Sequence, residues 1–187
     1  MPVNEYPYNW ETPPEIWRGF RSPSANWQAT VVAIFIAPKA AQEMVAVPQV
    51  RAFSDRGLEG DRFFRDSWMA LKRPDKAVTL IEAETLDIAA AELGVEGLAQ
   101  KSRRNIVTRG VPLVELLERE FMVGSVRLRG IRLFEPCGHL VKLSGMKGIF
   151  KALEHRSGLK AAVVSDGLIG IGDAIALATE TRQSASV

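Results

Sequence analysis

Cysteine occurs once in these 187 residues, at position 137, and histidine only twice. A single cysteine excludes an intramolecular disulfide and makes a reducing compartment the expectation. Cys137 with His139 and His155 also cannot supply a structural zinc site or an iron–sulfur centre from the chain's own nitrogen and sulfur ligands. Long apolar runs are missing: the longest, ATVVAIFIAP, is about half a membrane span. The beginning, MPVNEYPYNWETPPE, has neither the basic nor the apolar region of a secretory signal. No excess of one charge stands out either. The 24 basic and 22 acidic residues leave +2, so no overall field marks a nucleic-acid binder. Together these absences predict a soluble, cytoplasmic protein with neither membrane nor nucleic acid among its partners.

What is present is an ordinary globular composition, 47% hydrophobic and 25% charged, in a chain long enough to build a core without staples. Residues 1–28 stand apart. They hold five of the ten prolines and Trp10, Trp17 and Trp27, three of the four tryptophans. Proline at that density prevents long regular elements, while rings that large find a surface to cover. This predicts an arm, packed along the domain or engaging a partner. The domain itself is expected over 29–178, followed by a frayed tail over 179–187.

Within the domain, ATVVAIFI (29–36) reads as a strand buried on both faces. EMVAVPQVRAF (43–53) reads as a second strand, which Pro48 makes an edge or a bulge. KAVTLI (76–81) feeds a helix over 82–93, stopped by Gly94. Pro112 opens another predicted helix with Leu113, Leu116, Leu117 and Phe121 as its stripe. In SVRLRGIRLFE (125–135), Val126 and Leu128 share one parity while Ile131 and Leu133 take the other. The chain must slip by one residue near Gly130, which predicts a β-bulge. A basic helix is expected over 146–158, and a hairpin at Asp166–Gly167, with a second turn at Gly172–Asp173. Strands do not alternate regularly with helices, which argues against a doubly wound sheet. Proline, glycine and bulge signals inside strands suit a curved or closed sheet. The expected fold is mainly β (α+β): a compact, partly closed β-barrel of short mixed strands with about three peripheral helices.

Three segments carry residues suited to chemistry. In RLFEPCGHL (132–140), Pro136 stiffens a strand end just before Cys137 and Gly138 releases it. A free cysteine is commonly a small buried hydrophobe, but a thiol on a rigid bend also suits a soft metal or a nucleophile. In GLEGDR (57–62), Gly57 and Gly60 permit close backbone approaches, and Asp61 and Arg62 pair with each other or face a ligand. In SRRNIVTRG (102–110), Arg103 and Arg104 point opposite ways if the segment is extended. A guanidinium suits bidentate binding of phosphate or carboxylate, and Asn105 and Thr108 add neutral donors and acceptors.

Taken in this order, the three segments resemble the MOSC domain, named for the C-terminal domain of molybdenum-cofactor sulfurases. The residues that match are Gly57, Glu59, Gly60, Asp61 and Arg62, then Arg103, Asn105, Thr108 and Gly110, then Glu135, Pro136 and Cys137. GLIGIGDAIAL resembles the family's closing glycine–aspartate turn. The likeness spans about residues 29–178. It departs at Phe63, where many relatives carry histidine, and at KRPD (72–75), where they carry a glycine-rich stretch.

The resemblance implies a β-rich barrel that binds a molybdenum cofactor, with a pterin carrying the metal. It implies Cys137 as catalytic residue and molybdenum ligand. Gly57, Glu59, Gly60, Asp61, Arg62, Arg103, Arg104, Asn105 and Thr108 would line the cofactor site, an arginine clamping its phosphate. The implied function is a small oxidoreductase that reduces N-hydroxylated compounds as its small-molecule substrates. Separate redox partner proteins would serve it, because one cysteine holds no internal iron–sulfur relay. The alternatives are a sulfur or persulfide carrier loaded by a cysteine desulfurase, a cofactor carrier without turnover, and a non-catalytic interaction module built on the Trp-rich arm and the basic helix.

Overall fold

The computed structural model describes residues 27–65, 72 and 74–178. Most of the predicted arm and the predicted tail therefore lie outside the described residues. Eleven strands and four α-helices are seen there: β1 (Ala29–Ile36), β2 (Val45–Ala46), β3 (Gln49–Phe53), β4 (Gly57–Leu58), β5 (Val78–Glu82), α1 (Ala83–Leu93), α2 (Leu98–Lys101), β6 (Ile106–Arg109), β7 (Glu120–Val123), β8 (Val126–Leu133), α3 (Gly138–Ser144), α4 (Ile149–Leu153), β9 (Leu159–Val163), β10 (Gly167–Gly170) and β11 (Ala174–Leu177).

Seven strands close on themselves in the order β1–β11–β7–β8–β9–β5–β6 and back to β1, with β2 hung on the end of β1. The pair β5–β6 is parallel and the other pairs of the ring are antiparallel. A small second sheet, β10–β3–β4, packs alongside. The expected barrel of mixed strands forms, and its ring is fully closed.

The apolar strands cover two cores because successive side chains take opposite faces. Val31, Leu80, Ile106, Leu128, Ala161 and Ile175 fill the barrel. Their neighbours Ile81 and Val107 face outward, where Leu86 and Ala89 of α1, Leu140 of α3 and Ile149 and Leu153 of α4 cover them. Burial on both faces explains the unbroken apolar run of β5, whereas β1, expected to be buried on both faces, exposes Thr30 and Val32 and is enclosed only toward its end. Burying one such side chain is worth about 1.5–3 kcal/mol.

The bulge appears where the parity slip placed it. The β8–β9 register shifts between Gly130 and Arg132. Glycine is required there, because a Cβ on Gly130 would lie 2.1 Å from the Leu116 carbonyl oxygen. The crossing segment bonds on both sides, Glu118 N–H to Gly130 O at 3.1 Å and Gly130 N–H to Arg119 O at 3.0 Å.

Three expectations for helices and turns change. The helix predicted after Pro112 is a single 3-10 turn, Leu113–Leu116, followed by β7. Its chain is diverted by the bonds to the Gly130 bulge, and Phe121 faces Leu128 inside the barrel instead of lining a helix. The hairpin at Asp166–Gly167 does not form. β9 pairs with β5 and β8, and β10 pairs with β3, because the Asp166 carboxylate takes the N–H of Ser54 at 2.6 Å and draws the turn to the small sheet. The basic helix shrinks to α4, ended before His155, whose φ is +61°. The helix α3, directly after Cys137, went unpredicted.

Candidate functional site

The site begins with a row of polar residues on the outer face of the barrel. Strand pairing sets them side by side. Phe35 N–H bonds to Asn105 O at 2.7 Å, and Asn105 N–H bonds to Thr79 O at 3.0 Å. Thr79 stands opposite Lys160, and Lys160 opposite Arg132. These polar side chains alternate with the apolar ones inside the barrel, yet Asn105, Thr79 and Lys160 are all buried. Buried polar groups need partners, and two aspartates at the ends of the row supply them.

At one end, Asp61 is a brace. Its Oδ2 accepts from Ala37 N–H at 3.0 Å, Asn105 Nδ2 at 3.1 Å and Arg62 Nη1 at 3.3 Å, while Oδ1 accepts from Phe63 N–H at 3.0 Å. Asn105 is equally engaged. Its Oδ1 accepts from Thr79 N–H and Thr79 Oγ1, and its Nδ2 also donates to Phe35 O. Gly57 lets this turn approach the barrel: its φ is +103°, and a Cβ would meet Ala77 O at 3.0 Å. Gly60 and Glu59 are exposed in the same turn. Thr108 is buried and donates to Ile81 O at 3.3 Å.

The arginines gather above this row. Arg62 touches Met44 Sδ at 3.3 Å and packs over the Phe63 ring. Arg103 donates to Gln42 O at 2.8 Å. Arg104, 2% exposed, donates through Nε to Ser157 O and through Nη1 to Ser102 O, each at 2.8 Å, and through Nη2 to Ser157 Oγ. Its guanidinium lies 3.6 Å from the centre of the Phe134 ring. The segment is not extended at Arg103, whose φ is a left-handed +61°, and neither arginine faces solvent: both are buried, Arg103 toward Gln42 and Arg104 toward Ser157.

Crowding cations in a dry wall weakens their hold on protons. Burial pushes Arg104 down to about 9; the nearby Cys137 opposes the shift, Arg62 adds to it and Glu135 opposes it. Arg62 is lowered by burial against the pull of Asp61. Arg103 is lowered by burial and then by Arg62, with Asp61 opposing. The sequence-chosen Asp61, Arg62, Arg103, Arg104 and Asn105 thus form one cluster, joined through Arg104 to Cys137.

Cys137 ends the strand-like segment and caps α3 with extended backbone, φ −142° and ψ 165°. The thiol is exposed and the preceding Pro136 is buried, so the bend is anchored while the sulfur faces outward. Glu135 turns to the loop 154–158, accepting from His155 N–H at 2.9 Å and standing 3.5 Å from His155 Nδ1. His139 is exposed on α3; the histidine with a carboxylate partner is His155. Among the described residues, no cluster of three or more His, Cys, Asp and Glu could hold a metal. A groove lined by Ala41, Glu43, Met44, Gln100, Lys101, Arg103 and Leu143 opens beside the arginines.

The other end of the row was not read from the sequence. Asp75, in the 3-10 turn Pro74–Lys76, receives Arg132 Nε at 3.2 Å and Nη2 at 2.8 Å, and Lys160 Nζ stands 3.5 Å away. Lys160 also packs over Phe134, 4.3 Å from the ring centre. Burial, then Arg132, lowers Lys160 to about 8 against the pull of Asp75, and Arg104 lowers it further. A lysine inside the apolar strand LKAAV was the available signal.

Among the described residues no helix is long and apolar enough to cross a membrane. The sequence model of the MOSC domain matches residues 59–176. No curated protein matches the chain. Solved structures share its fold. YuaD from Bacillus subtilis aligns with a TM-score of 0.61 at 18% identity, over 80% of this chain and 96% of that one. YiiM from Geobacillus stearothermophilus gives 0.63 at 18% identity, over 81% and 75%. YiiM from Escherichia coli gives 0.55 at 18%, over 82% and 69%.

Proposed function

The chain belongs to the MOSC domain family, and from that premise we propose that it binds a molybdenum cofactor, with Cys137 as the protein's ligand to the metal. The observation that carries this reading is the exposed Cys137 thiol set against a buried wall of arginines, with Arg104 in electrostatic reach of the sulfur. The donor set fits such a group. One thiol cannot hold a metal alone, but it suffices where a pterin dithiolene brings the other sulfurs. Arg62 and Arg103 suit the phosphate end of the pterin, which carries between one and two negative charges near neutrality. Asp61 and Asn105 hold the backbone on which those arginines stand.

When bound, the cofactor supplies two-electron oxygen-atom chemistry, and we propose reduction of N-hydroxylated compounds served by a separate redox partner. The chain's own part is to position. Pro136 fixes the direction of the thiol, Ser157 and Ser102 pin Arg104, and the burial of Arg62 and Arg103 strengthens their attraction for an anion. The exposure of Cys137 also favours a second reading, a sulfur carrier. The Cys137 thiolate would attack the outer sulfur of a persulfide donor such as a cysteine desulfurase, keep that sulfur and release the donor's thiolate.

Both readings are tested on the full chain expressed in a host that makes the cofactor. Near-stoichiometric molybdenum and pterin that lose the metal on Cys137→Ala support the first. Metal-free protein from such a host rejects it. One added sulfur on Cys137 by intact mass, after incubation with a persulfide donor, supports the second, and its absence counts against it.

A further inference from the structure

Arg62 and Arg103 are covered. The Arg62 side chain is 12% exposed and Arg103 is 9% exposed, so a ligand meets neither fully until something moves. The connection between β1 and β2 covers them, and it takes their donors. Arg103 Nη1 donates to Gln42 O at 2.8 Å, and Arg62 Nη1 to Met44 Sδ at 3.3 Å. The two ends of the connection, Ala37 and Met44, are buried and fixed. Ala37 N–H bonds to Asp61 Oδ2, Ala37 O accepts from Arg62 N–H, and Met44 O accepts from Gln100 Nε2. Between those ends, residues 38–43 are all exposed. Among the described residues this span is tied to the rest of the protein by the Gln42 carbonyl on Arg103 and by an ion pair of Glu43 with Lys101 at 3.6 Å. The paired side chains are 82% and 45% exposed, and such a pair holds weakly. Ala41 carries a φ of +65°, a left-handed conformation that a residue with a Cβ adopts at a cost. The span is thus held down under strain, by few ties, over two cations.

We propose that residues 38–43 are a lid on Arg62 and Arg103, and that a phosphate-bearing ligand engages the pair only when the lid lifts and Arg103 exchanges the Gln42 carbonyl for a phosphate oxygen. The inference rests on the reading above, in which that phosphate is the end of the pterin. Exchanging a neutral carbonyl for an anionic oxygen strengthens the hydrogen bond, and that gain holds the lid open. Asp61 is the carboxylate that bears on both arginines, so the pair keeps an excess of positive charge for the incoming anion. The groove lined by Ala41, Glu43 and Met44 on one side and Gln100, Lys101 and Arg103 on the other is the seam along which the lid parts.

Phenylglyoxal modifies accessible guanidinium groups and reports the lid on the full chain without cofactor, each arginine being followed by peptide mass spectrometry. Ala41→Pro cannot adopt the left-handed φ, so the lid stays open and Arg103 reacts about tenfold faster. Glu43→Gln or Lys101→Gln removes the ion pair and speeds Arg103 by about twofold. A carbodiimide joins Lys101 to Glu43 as an amide with no spacer, and Arg103 of the locked protein reacts about tenfold more slowly. Glu43→Gln treated in the same way does not slow. Arg104, pinned by Ser157 and Ser102, keeps its rate throughout. Inorganic pyrophosphate is the ligand probe. It shields Arg103 in the native protein, at lower concentration in Ala41→Pro because no closed state competes, and it gives no calorimetric isotherm with the locked protein. Equal Arg103 rates in the open, native and locked forms overturn the lid. Pyrophosphate that neither binds nor shields Arg103 overturns its role toward a phosphate. If Ala41→Pro does not fold, the locked form decides. A lid found in protein that takes up no molybdenum from a competent host defeats the cofactor reading alone, and molybdenum in protein without a lid defeats this inference alone.

Discussion

Asp61 and Asp75 sit at opposite ends of the same polar row, both buried, and do opposite things. Asp61 bonds mostly to backbone and amide hydrogens: two peptide N–H groups, the Asn105 amide and one arginine. Its partners are fixed parts of the fold, so it holds the Gly57–Arg62 turn against the barrel. Asp75 meets the side chains of Arg132 and Lys160, one of which is partly open to solvent. A carboxylate tied to backbone holds a fixed part of the fold, whereas one tied to side-chain cations balances their charge. Residue type and burial alone do not distinguish the two; the kind of donor does.

Substitution should separate them. Asp61→Ala leaves Ala37 N–H and Phe63 N–H without their acceptor and takes the counter-charge from the partly buried Arg62, and should cost about 3–5 kcal/mol. Thermal melting reads this as a drop of roughly 10 °C. Glu82 provides an intermediate case at the far end of β5. Its Oε1 takes Leu113 N–H at 3.0 Å, and its Oε2 is buried without a partner. Burial raises it to about 7, with the Glu82 and Leu113 backbone hydrogen bonds opposing and Glu84 adding. A carboxyl raised in the folded state binds its proton more tightly there than in the unfolded chain. Stability should therefore be greatest at low pH and decline as pH climbs from about 4.5 to about 7. Glu82→Gln should flatten that slope, a change on the order of 2–3 kcal/mol at the alkaline end of the window.

Asp75→Ala should cost less, about 1 kcal/mol, because one of its partners is already solvated. It should also drop Lys160 below about 8, which NMR titration of the lysine amine reads directly. A stability loss as large as that of Asp61→Ala would erase the contrast. The smallest effect belongs to Cys137→Ser, within about 0.5 kcal/mol for an exposed side chain. It should leave the melting curve in place while abolishing alkylation by iodoacetamide.

Much of the Asp61 end was legible in the sequence and little of the Asp75 end was. GLEGDR, SRRN and EPC are contiguous peptides whose residues remain neighbours after folding. The slip near Gly130 was likewise visible, because a change of parity is a local signal. Asp75, Arg132 and Lys160 come from three separate elements, and their meeting is written only in strand register. The same limit undid the hairpin at Asp166–Gly167. The Asp166–Gly167 signal is local, but Ser54, far off in the chain, holds the Asp166 carboxylate and decides where the segment goes. The pleat rule did not apply to the paired arginines because the backbone at Arg103 is left-handed, not extended.

The ring closes where Ala29 meets Ile175 and Thr30 meets Ala174, joining nearly the first described strand to the last. Bringing together segments so remote in the chain is an entropically slow event. Arg104 reaches Ser157 across 53 residues and Asn105 reaches Phe35 across 70. A refolding chain should therefore regain its far-ultraviolet dichroism before it regains any affinity for an anion. Anion uptake would then report the moment at which the barrel becomes continuous.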